Sequence, residues 1–466
     1  MKAIPQHTPE RDPLWGRLLA GVRPLLSSQL RRNMTSSLVQ TGLNFLVTAA
    51  AYPIYLHYLG YEQYGLWLVL AAVLGSAQLG NLGINGAVSK FVAQHYGRGD
   101  AGAVERDVAT AHAALLVSGS VVIAVILLCR TPIVAAFKLA PGNAALVRKL
   151  LPAVSLLSLY VFLVRATTST LVGLGRMDLV NYARIGSRLL GVVLAAVLLH
   201  LGRGVNSLVW SYAASEAACH LFCLGAIARW VRIRYWRPAN LSGESLKRLL
   251  TFGSGLLGSS TLELLLGPFN KLMLSRTSGV ETIPIYEIAY NASMYFRGLI
   301  TNAFQALMPE VSRLSATADG GTVRIREIFR RAMRLTFRWG APLFGLVFVA
   351  APVLLRVWLR RDFDPRLPAT FRLMLVGAFL SLVGATPYYF LMGLGHAGSI
   401  FLAAAMQTGV DVLVLGGLFV AGVTLTPQWV AAALLTVSAA VEPALPSTSK
   451  ARGTVRFAIW FRLLAV

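Results

Sequence analysis

Charge is scarce in this chain of 466 residues. Asp, Glu, Lys and Arg together make up 13% of it, about half of the roughly 25% usual in soluble domains. Hydrophobic residues make up 56% and the mean hydropathy is +0.63, which excludes an ordinary soluble domain and indicates a polytopic membrane protein. Acidic residues are rarer still, 19 against 43 basic ones. In a soluble protein that imbalance would suggest a nucleic-acid partner. In a membrane chain it follows from the collection of Lys and Arg in cytoplasmic loops, so no nucleic acid is expected. Only three cysteines occur, Cys129, Cys219 and Cys223, with no spacing that suggests a disulfide framework or a zinc site. Residues 1–36 contain no long apolar run, which argues against a cleavable signal peptide and leaves the first hydrophobic helix to direct insertion. The seven histidines show neither metal-binding nor nucleophile–base spacing. No catalytic residue, metal or cofactor is therefore expected, and the chain reads as a non-enzyme. Gly253 to Gly258 fits GxGxxG, but no strand precedes it as a dinucleotide site requires. In a membrane helix such glycines permit close packing or bending.

What the chain does contain is a repeat. LVGLGRMDLVNYARIGSRLLGVVLAAVLLHL, from Leu171, is answered by LMGLGHAGSIFLAAAMQTGVDVLVLGGLFV, from Leu391, with Gly173 to Gly175 matching Gly393 to Gly395 at an offset of 220. At nearly the same offset Gly60-Tyr61-Glu62 is echoed by Gly279-Val280-Glu281. Each unit is long enough for about six helices of roughly 20 residues, so two facing bundles are indicated rather than a solenoid. Spans are predicted at 38–58, 64–88, 108–129, 150–172, 179–201, 205–228, 250–274, 283–308, 337–358, 369–391, 399–421 and 427–443. The fold class is thus all-α, with about twelve transmembrane helices in two pseudo-symmetric bundles. The division is a tail at 1–37, bundles at 38–228 and 250–443, a basic connector at 229–249 and an atypical segment at 444–466. Placing both termini in the cytoplasm puts 28 Lys and Arg inside and 11 outside, the bias expected of membrane topology. The connector, with Trp230, Tyr235 and Trp236 beside five arginines, suits the headgroup level. Arg324 to Arg338 has the spacing of an interfacial segment leading into the ninth span.

Three stretches carry a family likeness. YLGYEQYGLWLVL (Tyr58 to Leu70), LGNLGINGAVSKFVAQHYGRGD (Leu79 to Asp100) and IPIYEIAYNASMYFRGLITNAFQALMPEVSRL (Ile283 to Leu314) resemble the polysaccharide-export flippases. These are the O-antigen and exopolysaccharide translocases of the superfamily that includes multidrug extruders and the lipid II flippase. The likeness covers roughly residues 38–425 and fails beyond Trp429. It implies a MATE-like pair of six-helix bundles around a cavity that opens alternately to either side. It also implies transfer of an undecaprenyl-pyrophosphate-linked oligosaccharide between leaflets of the bacterial inner membrane. Membrane lipids, a polysaccharide polymerase or other assembly protein, and a coupling H+ or Na+ are the partners implied.

Four cations, Arg165, Arg188, Lys271 and Arg297, fall inside predicted spans, where an unpaired charge costs at least a few kcal/mol. A lipid pyrophosphate is one partner for them, since a guanidinium holds it by two bonds; internal carboxylates are the other. Tyr286, Tyr290, Ser293, Arg297, Thr301 and Gln305 recur at three or four positions on one helix side, with Glu287, Asn291 and Asn302 alongside. Such a stripe suits either a saccharide path or hydrogen bonding between helices. Glu263, Glu216 and Asp411 are the candidate ion-coupling acids. Glu263 could equally neutralise Lys271 or Arg297, and His220, one turn from Glu216, suits a proton relay or a packing pair. The competing functions are a multidrug or organic-cation extruder, which needs an acidic cavity, and a membrane enzyme of polysaccharide assembly, which usually displays a large outer loop. A scaffold is the last alternative, and it leaves the polar stripe unexplained.

Overall fold

The structure, a computed structural model, describes residues 28–230, 240–305, 311, 322–393 and 397–441. Fourteen α-helices make up nearly all of these residues, without a strand among them. The first half holds α1 (Ser28–Ala77), α2 (Ile84–Gly97), α3 (Ala101–Leu128), α4 (Arg130–Ala136), α5 (Pro141–Gly173), α6 (Met177–His200) and α7 (Asn206–Trp230). The second holds α8 (Gly243–Ser278), α9 (Ile283–Gln305), α10 (Thr322–Leu335), α11 (Ala341–Leu359), α12 (Leu367–Gly393), α13 (Ala397–Val420) and α14 (Pro427–Val441). Among the described residues, eleven of the twelve predicted spans coincide with helix. Six of the helical stretches are long and apolar enough to cross a membrane by length and composition.

The repeat is visible in the backbone. Gly60 bends α1 into two arms with φ 66° and ψ 179°, and Gly279 closes α8 with φ 91° and ψ 158°. Only glycine adopts this region freely, so the two matched glycines turn the chain in the same way at the same place in each half. Gly175 is also left-handed, at φ 75°; its counterpart Gly395 lies outside the described residues, as do connector residues 231–239 and the segment 444–466.

One helix departs from expectation and one meets it. The predicted span 64–88 is broken: α1 stops at Ala77, a 3-10 turn covers Gln78–Asn81, and Leu82 and Gly83 are left-handed before α2 begins. The cause is close packing. A Cβ on Gly83 would collide with the Gly253 carbonyl, and one on Gly253 with the Leu82 carbonyl, so the break lets two backbones from opposite halves touch. The predicted interfacial helix α10 runs through a π-helical turn, Thr336–Gly340, into α11, making one helical stretch from Val323 to Asp362. Its arginines lie on the exposed side, while Phe329 packs edge-on against Phe390 of α12, with ring centroids 5.2 Å apart.

The halves meet at both ends of α1's second arm. Near Gly60, a Cβ on Gly65 would collide with the Val280 carbonyl, and the Tyr61 hydroxyl donates to the Asp362 carbonyl at 2.8 Å. Near Gly83, Arg248 of α8 donates to Asp107 of α3 at 2.6 Å, with His95 of α2 3.4 Å from the other carboxylate oxygen. The Asp107 side chain is fully buried.

Candidate functional site

Between these two contact zones lies a cavity of 320 Å³. Its walls come from both halves because α1 and α9 cross there. From α1 come Thr48, Tyr52 and Tyr55 on the first arm and Tyr64 and Trp67 on the second; from α6 comes Arg188; from α7, Ser211, Tyr212 and Ser215; from α9, Glu287, Asn291 and Tyr295. Tyr52 with Tyr55, and Tyr64 with Trp67, stand three residues apart, a spacing that puts each pair on one helix face. The bend at Gly60 folds the two pairs towards each other, so that the Tyr64 ring lies 6.2 Å from Tyr52 and 5.7 Å from Tyr55. Glu287, Asn291 and Tyr295 recur every fourth residue, one face of α9.

Direct bonds cross between the halves along this wall. The Asn291 amide donates to the Tyr52 hydroxyl at 2.8 Å, and the Tyr295 hydroxyl donates to Thr48 Oγ1 at 3.2 Å. Arg188 donates to the same Thr48 hydroxyl at 3.4 Å. The indole of Trp358, on α11, donates to the Ala49 carbonyl at 2.8 Å and stands edge-on to Tyr52 at 6.0 Å. The wall of the cavity is therefore also a hydrogen-bonded joint between bundles.

The charges in the cavity are unequal in their partners. Glu287 Oε2 lies 2.9 Å from Lys271 Nζ, so its charge is compensated from the second half. Arg188 has an exposed side chain whose hydrogen bond to Thr48 is to a neutral hydroxyl. Deeper in the first half, Tyr212 interacts electrostatically with Glu216, Arg165 and Arg188, and Arg165 in turn with Arg184 and Glu216. Three guanidinium groups from α5 and α6 thus lead away from the cavity against one carboxylate. Side chains of these types have the chemistry to meet an anion beside flat, apolar faces: aromatic rings can cover apolar faces and an arginine can supply bidentate donors.

Of the residues singled out from sequence, Arg188 lines the cavity. Lys271 reaches it through Glu287, and Arg165 and Glu216 form the next layer through Tyr212. The stripe on α9 faces elsewhere. Tyr286 is 3% exposed and accepts from Asn270 Nδ2 at 3.2 Å; its ring stacks on Tyr290, 5.8 Å between centroids. Ser293 is fully buried and donates to the Tyr290 carbonyl, while Thr301 is buried beside Gly298. α9 packs along α12 on this side, so these residues knit the second half together. Arg297 is half-buried, with its Nε buried and lacking a hydrogen-bond partner among the described residues. The side chains of Glu263 and Gln305 lie outside the described residues. Asp411 of α13 is fully buried with the Asn270 amide beside its carboxylate, and Asn270 Oδ1 lacks a hydrogen-bond partner among the described residues. That acceptor-rich pair is the arrangement in the second half suited to a proton or a small cation.

The tyrosines of α1, Trp67, Tyr212 and Tyr295 are the lining residues that sequence reading passed over. Their signal was present as the i, i+3 aromatic pairs around Gly60. On α9 the cavity is lined by Glu287 and Asn291, which the sequence reading had put alongside the stripe, each 100° round the helix from Tyr286 and Tyr290, together with Tyr295.

Comparison with known proteins follows the same outline. Residues 59–368 match the family described as polysaccharide biosynthesis protein. An inward-facing multidrug-resistance MATE transporter of the MOP superfamily superposes with TM-score 0.71 at 16% identity, covering 91% of this chain and 94% of its own. The lipid II flippase MurJ in an inward closed conformation gives TM-score 0.68 at 11% identity, over 88% of this chain and 86% of MurJ. A MOP-superfamily transporter from Pyrococcus furiosus, described by the reverse polarity of its binding pocket, gives 0.60 at 15% identity, over 94% and 95%. No curated protein matches the sequence.

Proposed function

Since the chain belongs to the polysaccharide biosynthesis protein family and has the fold of MOP-superfamily transporters, we propose that it is a flippase for an undecaprenyl-pyrophosphate-linked oligosaccharide. It acts in the bacterial inner membrane, both termini in the cytoplasm, and serves O-antigen or exopolysaccharide assembly. The observation that carries this reading is the cavity itself, an aromatic-walled space between the two halves with Arg188 facing into it. At 320 Å³ it is at the small end of the ~300–1,000 Å³ range of ligand sites. It takes a headgroup or the first sugars of a chain, leaving the polyprenyl tail in the bilayer.

The mechanism follows from the joint between the halves. With the Gly83 end towards the cytoplasm, loading requires the Arg248–Asp107 pair and the Gly83–Gly253 contact to part, and release on the far side requires Gly65 to leave Val280. Arg188 holds the pyrophosphate, Tyr52, Tyr64 and Trp67 cover sugar faces, and Asn291 and Tyr295 exchange their bonds to α1 for sugar hydroxyls. Rocking of one half against the other about this site moves the cargo across. Arg165 and Arg184 extend the positive path into the first bundle. The organic-cation extruder is the weaker reading because the carboxylate in the cavity, Glu287, already holds Lys271 at 2.9 Å.

The test is transbilayer movement of a lipid-pyrophosphate oligosaccharide in vesicles containing the full chain, with wild type, Arg188→Lys and Arg188→Ala. Arg188→Ala is expected to lower the rate at least tenfold, and Arg188→Lys to retain part of it, because an ammonium keeps the charge and loses the fork. Wild type that expels organic cations but moves no lipid-linked saccharide overturns the reading.

A further inference from the structure

The first bundle holds a second polar assembly, outside the cavity lining. Tyr160 and Thr167 project from α5, His220 from α7 and His112 from α3. His220 Nδ1 lies 3.0 Å from the Tyr160 hydroxyl and its Nε2 3.1 Å from Thr167 Oγ1. The same Oγ1 lies 3.3 Å from His112 Nε2, and His112 Nδ1 lies 2.8 Å from the Val108 carbonyl. Four hydrogen bonds thus run in series across three helices.

Donor bookkeeping fixes what this series can do. A carbonyl only accepts, so His112 Nδ1 carries a hydrogen. A neutral His112 then has a bare Nε2, which accepts from the Thr167 hydroxyl. Thr167 in turn accepts from His220 Nε2–H, and His220 Nδ1 accepts from Tyr160. All bonds point one way, from Tyr160 to Val108. The reverse arrangement is equally complete: a His112 carrying both hydrogens donates to Thr167, Thr167 donates to His220 Nε2, and His220 donates from Nδ1 to Tyr160. Thr167 also has the Leu163 carbonyl within 2.9 Å as a second acceptor, so its hydroxyl is satisfied in either state. Adding one proton reverses the three bonds between Tyr160 and His112 and leaves the one to Val108 as it was, without orphaning a buried polar atom, and orphaned atoms are what make buried protonation costly.

We propose that Tyr160, His220, Thr167 and His112 form a proton-loading site, entered at His220 and ending on His112. A proton arriving from water joins His220 Nδ1. His220 releases its Nε2 proton to Thr167 Oγ1 while Thr167 passes its own to His112 Nε2. One proton is gained, the half-buried Tyr160 turns its O–H from His220 to water, and no electrons are transferred. Of the charged and titratable groups near the series, Glu216 and Cys219 of α7 interact with Tyr160; on α3 itself, Asp107 is engaged by Arg248 and His95. Glu216 interacts both with Tyr160 and with the cavity residue Tyr212, so one carboxylate is shared by the series and the cavity wall. Protonated His112 adds a positive charge to the first bundle, which also carries Arg165 and Arg188. By linkage, an anionic cargo and the proton then strengthen each other's binding. This last step rests on the flippase reading; the proton site does not.

The test reads the histidines directly. In the full chain labelled with 15N-histidine in lipid nanodiscs, wild type is expected to show His112 and His220 sharing their titration steps, separated by about one pH unit or more. Thr167→Val removes the shared hydroxyl with little change of shape, so each ring should follow its own single step. Thr167→Ser should restore the shared titration. A His112 signal that does not move with pH overturns the proposal, as does a Thr167→Val chain that titrates like wild type. Cargo movement under an imposed pH gradient separates the two readings. Shared titration without movement of lipid-linked saccharide fails the flippase reading alone, and movement without shared titration fails the proton site alone.

Discussion

Removing the Arg248 side chain should open the Gly83 end of the molecule. Arg248 donates to Asp107 at 2.6 Å; the Asp107 side chain is fully buried and that of Arg248 is 32% exposed. Removing one partner of a fully buried pair costs roughly 3–5 kcal/mol, because the remaining charge is stranded. Partial exposure of Arg248, and His95 at 3.4 Å as a second partner for Asp107, reduce this to about 2 kcal/mol. As the pair joins α3 of one half to α8 of the other, the loss falls on the arrangement in which those helices touch. A cost of ~2 kcal/mol is about a 30-fold shift towards the state in which they are apart. Spin labels at the exposed positions Tyr96 and Lys247, one on each half, report the separation as a distance distribution. Arg248→Ala is expected to populate a longer distance than wild type. The double variant Asp107→Leu/Arg248→Met, which strands no charge, should lie closer to wild type than Arg248→Ala does. An unchanged distribution in Arg248→Ala, or a double variant as displaced as the two single changes combined, would refute the reasoning.

Two further outcomes follow from the backbone and from the loop at the Gly60 end. Gly60→Ala and Gly279→Ala each place a side chain in a region that only glycine occupies freely, at a cost of about 1–3 kcal/mol. Both should lower the melting temperature in detergent, whereas Gly42→Ala, on α1 with open space around it, should not. Asp364, between α11 and α12, accepts four hydrogen bonds from Arg366, at 2.8, 3.1, 3.3 and 2.9 Å. Burial alone would raise its pKa, but the Arg366 hydrogen bonds and charge outweigh burial and hold the carboxyl below its ordinary value. A lowered folded pKa means the stabilisation is complete above the ordinary ~3.9 and disappears as pH falls through the folded value. Hydrogen exchange in residues 360–366, corrected for intrinsic rate, should be flat from neutral pH to about 5 and accelerate at more acid pH, while Asp364→Asn should accelerate it at neutral pH.

Much of the fold was legible because its determinants are local. A run of apolar residues as long as α3 or α6 has few alternatives to a membrane helix, and a glycine matched to another at a fixed offset marks the same turn twice. The broken second span was less legible. Gly80 and Gly83 were visible in the sequence, but nothing local says that Gly83 must touch Gly253, 170 residues away. The candidate site was legible in kind and displaced in detail. That α9 carries a polar face could be read from its spacing. Two polar faces lie side by side on that helix, however, and spacing cannot tell the one against α12 from the one against α1.

The sequence by itself determined the class of molecule, the positions of the helices and the doubling of the bundle, because composition, length and periodicity act within a segment. Only the tertiary structure decided which polar residues work together. Lys271 is matched to Glu287 on α9, Arg188 faces the gap between halves with its charge uncompensated, and His112 meets His220 through a threonine on a third helix. Those pairings depend on how each helix is rotated about its axis and which neighbour it packs against, and that rotation is set by the packing of all the helices together.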